Sequence, residues 1–431
     1  MKPTFTADDT IVRRLGEAKI DSPLNISNEI TLNESIYYHP YPSEDDEDKK
    51  ISFETSRPES KIYFDPTKVT AGIVTCGGLC PGLNNVIRSI VFGLYHGYGV
   101  RSIFGIRFGL QGFIADFEHP LMELTPESVT DIHEQGGTIL GSSRGAQSIE
   151  KIVDTLERQN MNMLFIIGGD GTLRAAEKID KEINKRKLKI AIIAVPKTID
   201  NDIYCVSKSF GFETAVDSAS VSIQCAHTEA ISYPNGIGLV KLMGRYSGFI
   251  AATAAVAQRD VNFVLIPEID FDLEGPKGFL ACLKSRLERR KHAVIVVAEG
   301  AGQKYFQDEE IEKDESGNVR LKDIGVFLQG RIKEYFSRED MEISLKYIDP
   351  SYIVRSVPAN TNDGLFCAVL GQNAVHAAMS GRTEMVVSMW HGVYCQLPIA
   401  LAISQRKNLH PSSRLWMNVV ESTGQPLFKN E

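Results

Sequence analysis

Six short apolar runs set the terms on which this chain can fold: Thr70–Cys76, Met163–Gly168, Lys189–Val195, Gly236–Leu242, Phe263–Pro267 and Ala293–Ala298. Each is apolar almost without interruption, so as a strand each must be buried on both faces. Between them lie segments of helical periodicity, such as Asn84–His96 and Leu173–Lys187. Strand–helix alternation predicts an α/β fold of mainly parallel sheets flanked by helices. Ligands in such folds bind beyond the carboxyl ends of the strands. A length of 431 residues exceeds one typical domain and suits two or three.

The residues before about Lys68 differ. Pro40 and Pro42 lead into an acidic run, Ser43 to Lys50, which predicts an exposed loop on an extension with little core of its own, read as a solvated arm. The charged stretch Gln307–Lys322 reads as an exposed hairpin or loop. A net charge of −8 argues against nucleic acid as a partner, so any anionic phosphate must meet locally gathered Arg and Lys. No apolar run is long enough to span a membrane, and the first residues lack the layout of a signal peptide, which together predict a cytoplasmic protein. The seven cysteines are odd in number and scattered, which predicts reduced thiols. Cys76 and Cys80 have no second pair at zinc spacing.

Three motifs sit at the predicted strand ends. Gly77-Gly78-Leu79-Cys80-Pro81-Gly82 joins a strand to a helix. Its glycines let backbone N–H groups approach a phosphate at a helix N-terminus, though a Gly-Gly turn is often only a turn. It lacks the Lys-Ser/Thr ending of a P-loop. Gly168-Gly169-Asp170-Gly171-Thr172 sets a carboxylate, the hard oxygen ligand that Mg²⁺ needs, among residues small enough to admit phosphates. Pro196-Lys197-Thr198-Ile199-Asp200-Asn201-Asp202 offers two carboxylates beside a Lys and a Thr. Transfer to a hydroxyl needs a base and cations to offset phosphoryl charge; the same sequence also suits a purely structural turn.

The order of motifs is more informative than any one of them. Val74–Arg88, Gly137–Arg144, Gly168–Thr172, Pro196–Asp202 and Met243–Gly248 follow one another in a series that resembles the phosphofructokinase family, from about Val69 to about Arg406. The resemblance implies two similar domains after the N-terminal extension, 1–68. Residues 69–211 with 355–404 would bind the donor nucleotide, and 212–354 with 405–431 the sugar phosphate. It implies MgATP-dependent phosphorylation of fructose 6-phosphate at its 1-hydroxyl, in a homotetramer with sites shared between subunits.

Residue by residue, the resemblance makes Asp200 the base, with Thr198 holding the hydroxyl or the phosphoryl group, Asp202 orienting the site, and Lys197 and Arg245 assisting transfer. Asp170 would hold Mg²⁺. Gly78, Arg144, Gly169, Gly171 and Thr172 would line the donor pocket. Met243, Gly244, Arg245, Glu299, Lys346, Tyr352 and Arg355 would bind the sugar phosphate. Taken singly, Met243, Glu299 and Lys346 read rather as core filler, turn acid and surface charge. Lys197 replaces the Gly usual in small bacterial ATP users, and Tyr233-Pro234-Asn235-Gly236 replaces their upstream Arg. In the family, Gly at the position of Gly171 goes with ATP and Asp with pyrophosphate, whereas Lys197 occurs with either donor. ATP is therefore the expected donor. The alternatives are a pyrophosphate-dependent enzyme and a non-catalytic sugar-phosphate-binding subunit, although the latter should have lost Asp200 or Asp170.

Overall fold

The computed structural model describes residues 4–24, 34–40, 51–306 and 320–430. The acidic run Ser43–Lys50 and most of the stretch Gln307–Lys322 lie outside them. The chain divides into two compact units. The first comprises Met1–Thr198, Ile203–Gly211 and Ser356–Arg406; the second comprises Ile199–Asp202, Phe212–Arg355 and Lys407–Glu431.

The first unit is built on a nine-stranded sheet. Its centre is parallel, running Met385–Trp390, Ala191–Pro196, Met163–Gly168, Thr70–Thr75, Ser102–Ile106. Met163–Gly168 and Ala191–Pro196 are buried at every position, as uninterrupted apolar strands require. Met385–Trp390 turns back through His391 and Gly392, both at positive φ, into the antiparallel strand Val393–Pro398. A two-residue hairpin needs that left-handed backbone to match the strand twist.

The expected solvated arm is corrected over its described residues, for Ser52–Thr55 pairs with Val393–Pro398 and Ser35–Tyr37 pairs with Ser52–Thr55. Phe53 is fully buried and meets Trp390 edge to face. Helices Leu83–Phe92 and Thr361–Met379 pack together, as do Ile149–Arg158 and Asp170–Lys185.

The second unit holds a four-stranded parallel sheet in the order Phe263–Leu265, His292–Ala298, Gly236–Leu242, Ser344–Ile348. Phe263, Phe271, Phe279, Phe336 and Phe428 form much of its core. Among the described residues no helix is long and apolar enough to cross a membrane. All seven cysteines are unbridged, five of them buried.

Candidate active site

In the first unit, three chain turns meet at the carboxyl ends of neighbouring parallel strands. Lys197 N–H donates to Gly168 O at 2.9 Å, and its ammonium donates to Gly78 O at 2.5 Å. Ser142 Oγ donates to Gly77 O at 2.6 Å, and Gly77 N–H to Ser143 O at 3.2 Å. The Gly77–Gly78 turn, the Ser142-Ser143-Arg144 segment and Lys197 are thus one assembly, with Arg144 exposed at its rim. Thr198 O accepts from Ser209 Oγ at 2.6 Å.

Gly169 caps helix Asp170–Lys185 without a side-chain bond, so the helix opens on bare backbone. Thr172 is buried in space that a Cβ on Gly168 would enter at 2.4 Å. A Cβ on Gly171 would meet nothing within 4 Å. Asp170 is the helix's first residue. Arg174 grips its carboxylate in a fork at 3.1 and 3.2 Å, and Arg406 stands 3.6 Å away. Neither arginine was picked out by sequence reasoning. The i,i+4 spacing of Asp170 and Arg174 was a usable sign, whereas Arg406 lies far along the chain.

In the second unit, the Met243-Gly244-Arg245 turn is clasped by Ala298-Glu299-Gly300. Glu299 N–H donates to Leu242 O at 2.9 Å and Gly300 N–H to Gly244 O at 3.1 Å. Gly300 is required there, because a Cβ would fall 2.0 Å from Arg245 O. Asp200 joins this turn: Ser247 Oγ donates to its carbonyl at 2.9 Å, and the Arg245 backbone N–H donates to its carboxylate. Burial, then the neighbouring carboxylates of Asp202 and Glu299, push the Asp200 carboxyl well above the usual range, with Arg245 opposing them. Glu299 is raised by burial and drawn back by Arg245, Lys241 and Arg355. The structure therefore gathers Asp200, Asp202, Arg245, Glu299 and Arg355, with Met243 and Gly244 on the same turn. The Arg355 guanidinium lies 4.8 Å over the exposed Tyr352 ring. Lys346 is not brought to this group; it registers with Gly238, and its ammonium lies 5.0 Å over Tyr233.

Two supports escaped sequence reasoning. Lys407 donates through its N–H to Asp202 O and through its ammonium to Asn201 Oδ1, both at 2.9 Å. Burial draws that ammonium down to about 7, and Asp202 opposes the fall. Glu268 Oε1 accepts from Gly248 N–H at 3.0 Å and Leu409 N–H at 2.8 Å. No local motif marks either residue, since the partners come from distant segments.

Among the described residues no group of three or more His, Cys, Asp or Glu is arranged to hold a metal. Asp170 is one carboxylate at an open helix end. That suits Mg²⁺, which retains waters and takes phosphate oxygens to complete its shell.

The sequence profile of the Phosphofructokinase family matches residues 70–378. The ATP-dependent 6-phosphofructokinase of Borreliella burgdorferi is 51% identical over 434 residues, covering 97% of each chain. That of Amycolatopsis methanolica is 45% identical over 446 residues, 98% of this chain and 96% of the other. ATP-dependent 6-phosphofructokinase 1 of Arabidopsis thaliana is 45% identical over 94% of this chain and 85% of its own. Among solved structures, a pyrophosphate-dependent phosphofructokinase from Marinobacter aquaeolei superposes with a TM-score of 0.68 at 18% identity, over 83% of this chain and 91% of that one. Phosphofructokinase from Pichia pastoris gives 0.63 at 20%, over 85% of this chain and 37% of that one. At these identities the likeness is one of fold.

Proposed function

The chain belongs to the phosphofructokinase family, and on that premise we propose that it phosphorylates fructose 6-phosphate at the 1-hydroxyl with MgATP, giving fructose 1,6-bisphosphate and ADP. The observation that carries the reading is the Asp200 carboxylate. The residue is half-buried with its Oδ1 shut from solvent, the carboxylate is held by the Arg245 backbone, and its proton affinity is raised by that burial and by two further carboxylates, which is the condition of a general base rather than of a surface acid.

In this reading the first unit takes the donor and the second the sugar phosphate. Asp200 removes the 1-hydroxyl proton as that oxygen attacks the γ-phosphorus, and the bond to the β-γ bridging oxygen breaks to release ADP. Thr198 and Asp202 orient the hydroxyl and the base. Lys197, Arg144 and Arg245 offset charge on the phosphoryl oxygens. Arg355, with Tyr352 beside it, binds the 6-phosphate, and Glu299, Met243 and Gly244 hold the sugar. Asp170 would hold Mg²⁺, which supplies charge neutralisation on the donor phosphates. Lys346, which sits apart on Tyr233, takes no part in this assignment, and the chain is read as a cytoplasmic homotetramer with sites shared between subunits.

ATP is preferred over pyrophosphate because Gly171 leaves its surroundings open and because the similar curated relatives are named for ATP. A coupled assay with fructose 6-phosphate, Mg²⁺ and either donor tests this. Turnover with ATP is expected, and turnover with pyrophosphate alone would overturn it.

A further inference from the structure

Strand Gly236–Leu242 is buried along its whole length, yet its sixth residue is a lysine. A buried ammonium must be paired or it will not stay charged. Lys241 is paired twice, its Nζ lying 2.8 Å from Asp323 Oδ2 and 2.9 Å from Asp349 Oδ2. Each carboxylate starts a different piece of chain. Asp323 caps helix Ile324–Arg338 by accepting from Val326 N–H at 3.0 Å, and Tyr347 Oη donates to it at 3.3 Å. Asp349 opens the turn that leads to Arg355: its Oδ1 accepts from Ser351 N–H at 3.1 Å and Ser351 Oγ at 2.5 Å. Pro350 O then accepts from Ile353 and Val354 N–H at 2.8 and 3.0 Å, beginning the short helix Ile353–Ser356.

The lysine's own charge is spent. Two carboxylates outweigh one ammonium, and only 11% of its side chain is accessible, so it is no phosphate ligand. Its effect must pass through what it holds. Without it, two carboxylates that share one cation would face each other and repel; Asp323 sits at the cap of a 15-residue helix, whereas Asp349 sits in a turn whose bonds are local. That turn carries Tyr352 and Arg355, whose charge reaches Glu299 in the present arrangement.

We propose that Lys241 is a positioning residue for sugar-phosphate recognition: by clamping Asp349 it fixes the turn that presents Arg355, and it touches no substrate itself. The inference rests on the proposed fructose 6-phosphate reading. It predicts a split between substrates. In K241M the KM for fructose 6-phosphate should rise about tenfold, while the KM for ATP stays within about twofold and kcat within about threefold. K241R should recover part of the loss. A merely structural cross-link would make its two ends equivalent, so D349N and D323N decide the matter even if K241M does not fold. D349N should raise the sugar KM as K241M does, whereas D323N should lower the unfolding temperature and leave both KM values near wild type. Equal effects of D349N and D323N on the sugar KM, or a rise in both KM values in K241M, would overturn the inference while wild-type activity keeps the reading. A wild-type protein inactive on fructose 6-phosphate would overturn the reading itself, and the inference with it.

Discussion

At the residue scale, two half-buried carboxyls have raised proton affinities with opposite consequences. Asp200 is raised by burial and by Asp202 and Glu299, and in its proposed role as base it must lose its proton to act, so the acid limb of kcat/KM should lie well above the ordinary carboxylate range. Asp200→Ala should lower kcat by about 10²–10⁴ with little change in sugar binding; near-normal turnover of the purified variant would remove Asp200 as the base. Glu384 sits far from that chemistry in sequence, at φ 56. Burial, then Asp180, pushes it up to about 7 from an ordinary 4.5, against Arg13. Because the folded value is the higher one, the neutral carboxyl favours the fold below pH ~4.5, and that contribution is lost as pH rises through ~7. Glu384→Gln keeps the shape and removes the charge. The variant should therefore match wild type at pH 4.5 and exceed it by about 1–2 kcal/mol at pH 8. Thermal unfolding at both pH values measures this, and an equal gap at the two would rule the titration out.

At the scale of elements, helix Asp170–Lys185 makes the donor question testable. Gly171 lies exposed in its first turn, and a Cβ there meets nothing within 4 Å. An Asp at that place is sterically free and favoured by the helix dipole, so Gly171→Asp should fold with an unfolding temperature close to wild type. The new carboxylate would stand against the donor phosphates, and ATP turnover should fall by about 10² or more; full ATP activity in the folded variant would contradict the donor assignment. The start of this helix also marks where sequence reading stopped short. Periodicity first registers at Leu173, but the helix begins at Asp170, because its opening turn is made of small and polar residues kept open at the end. Met163–Gly168 was legible to the residue, since burial on both faces leaves only apolar side chains, and Gly236–Leu242 was equally legible although Lys241 interrupts its apolar run. Ser344–Ile348 was not, because its side chains are half-buried, among them Tyr347, or exposed, as at Lys346. The glycine and aspartate motifs were legible for a different reason: each lies within a few residues of chain. Lys407 was invisible because its partner Asn201 is 206 residues away.

At the scale of the whole molecule, the N-terminal segment is tied to the first unit by charge as much as by strand pairing. Arg382 has 1% of its side chain exposed, and it is paired with both Glu54 and Glu59 and bonded to Ser380 Oγ at 2.5 Å. Arg14 also reaches Glu54 at 2.9 Å, and Arg13 pairs with Asp180. No compositional feature distinguished Glu54 and Glu59 from the acidic run before them, so the sequence suggested a solvated arm where the fold has a buried cation with two acidic partners. Removing only the partners should be costly, because the arginine remains buried and uncompensated, at about 3–5 kcal/mol. The double variant E54Q/E59Q should therefore unfold roughly 5–15 °C below wild type. Removing cation and anions together is expected to be much milder, since an apolar side chain in the same space has no charge to satisfy. The triple variant E54Q/E59Q/R382L should thus regain most of the lost unfolding temperature. If it is instead as unstable as the double variant, the segment is held by the packing of Phe53 and the strand Ser52–Thr55, and the buried arginine is not what fastens it.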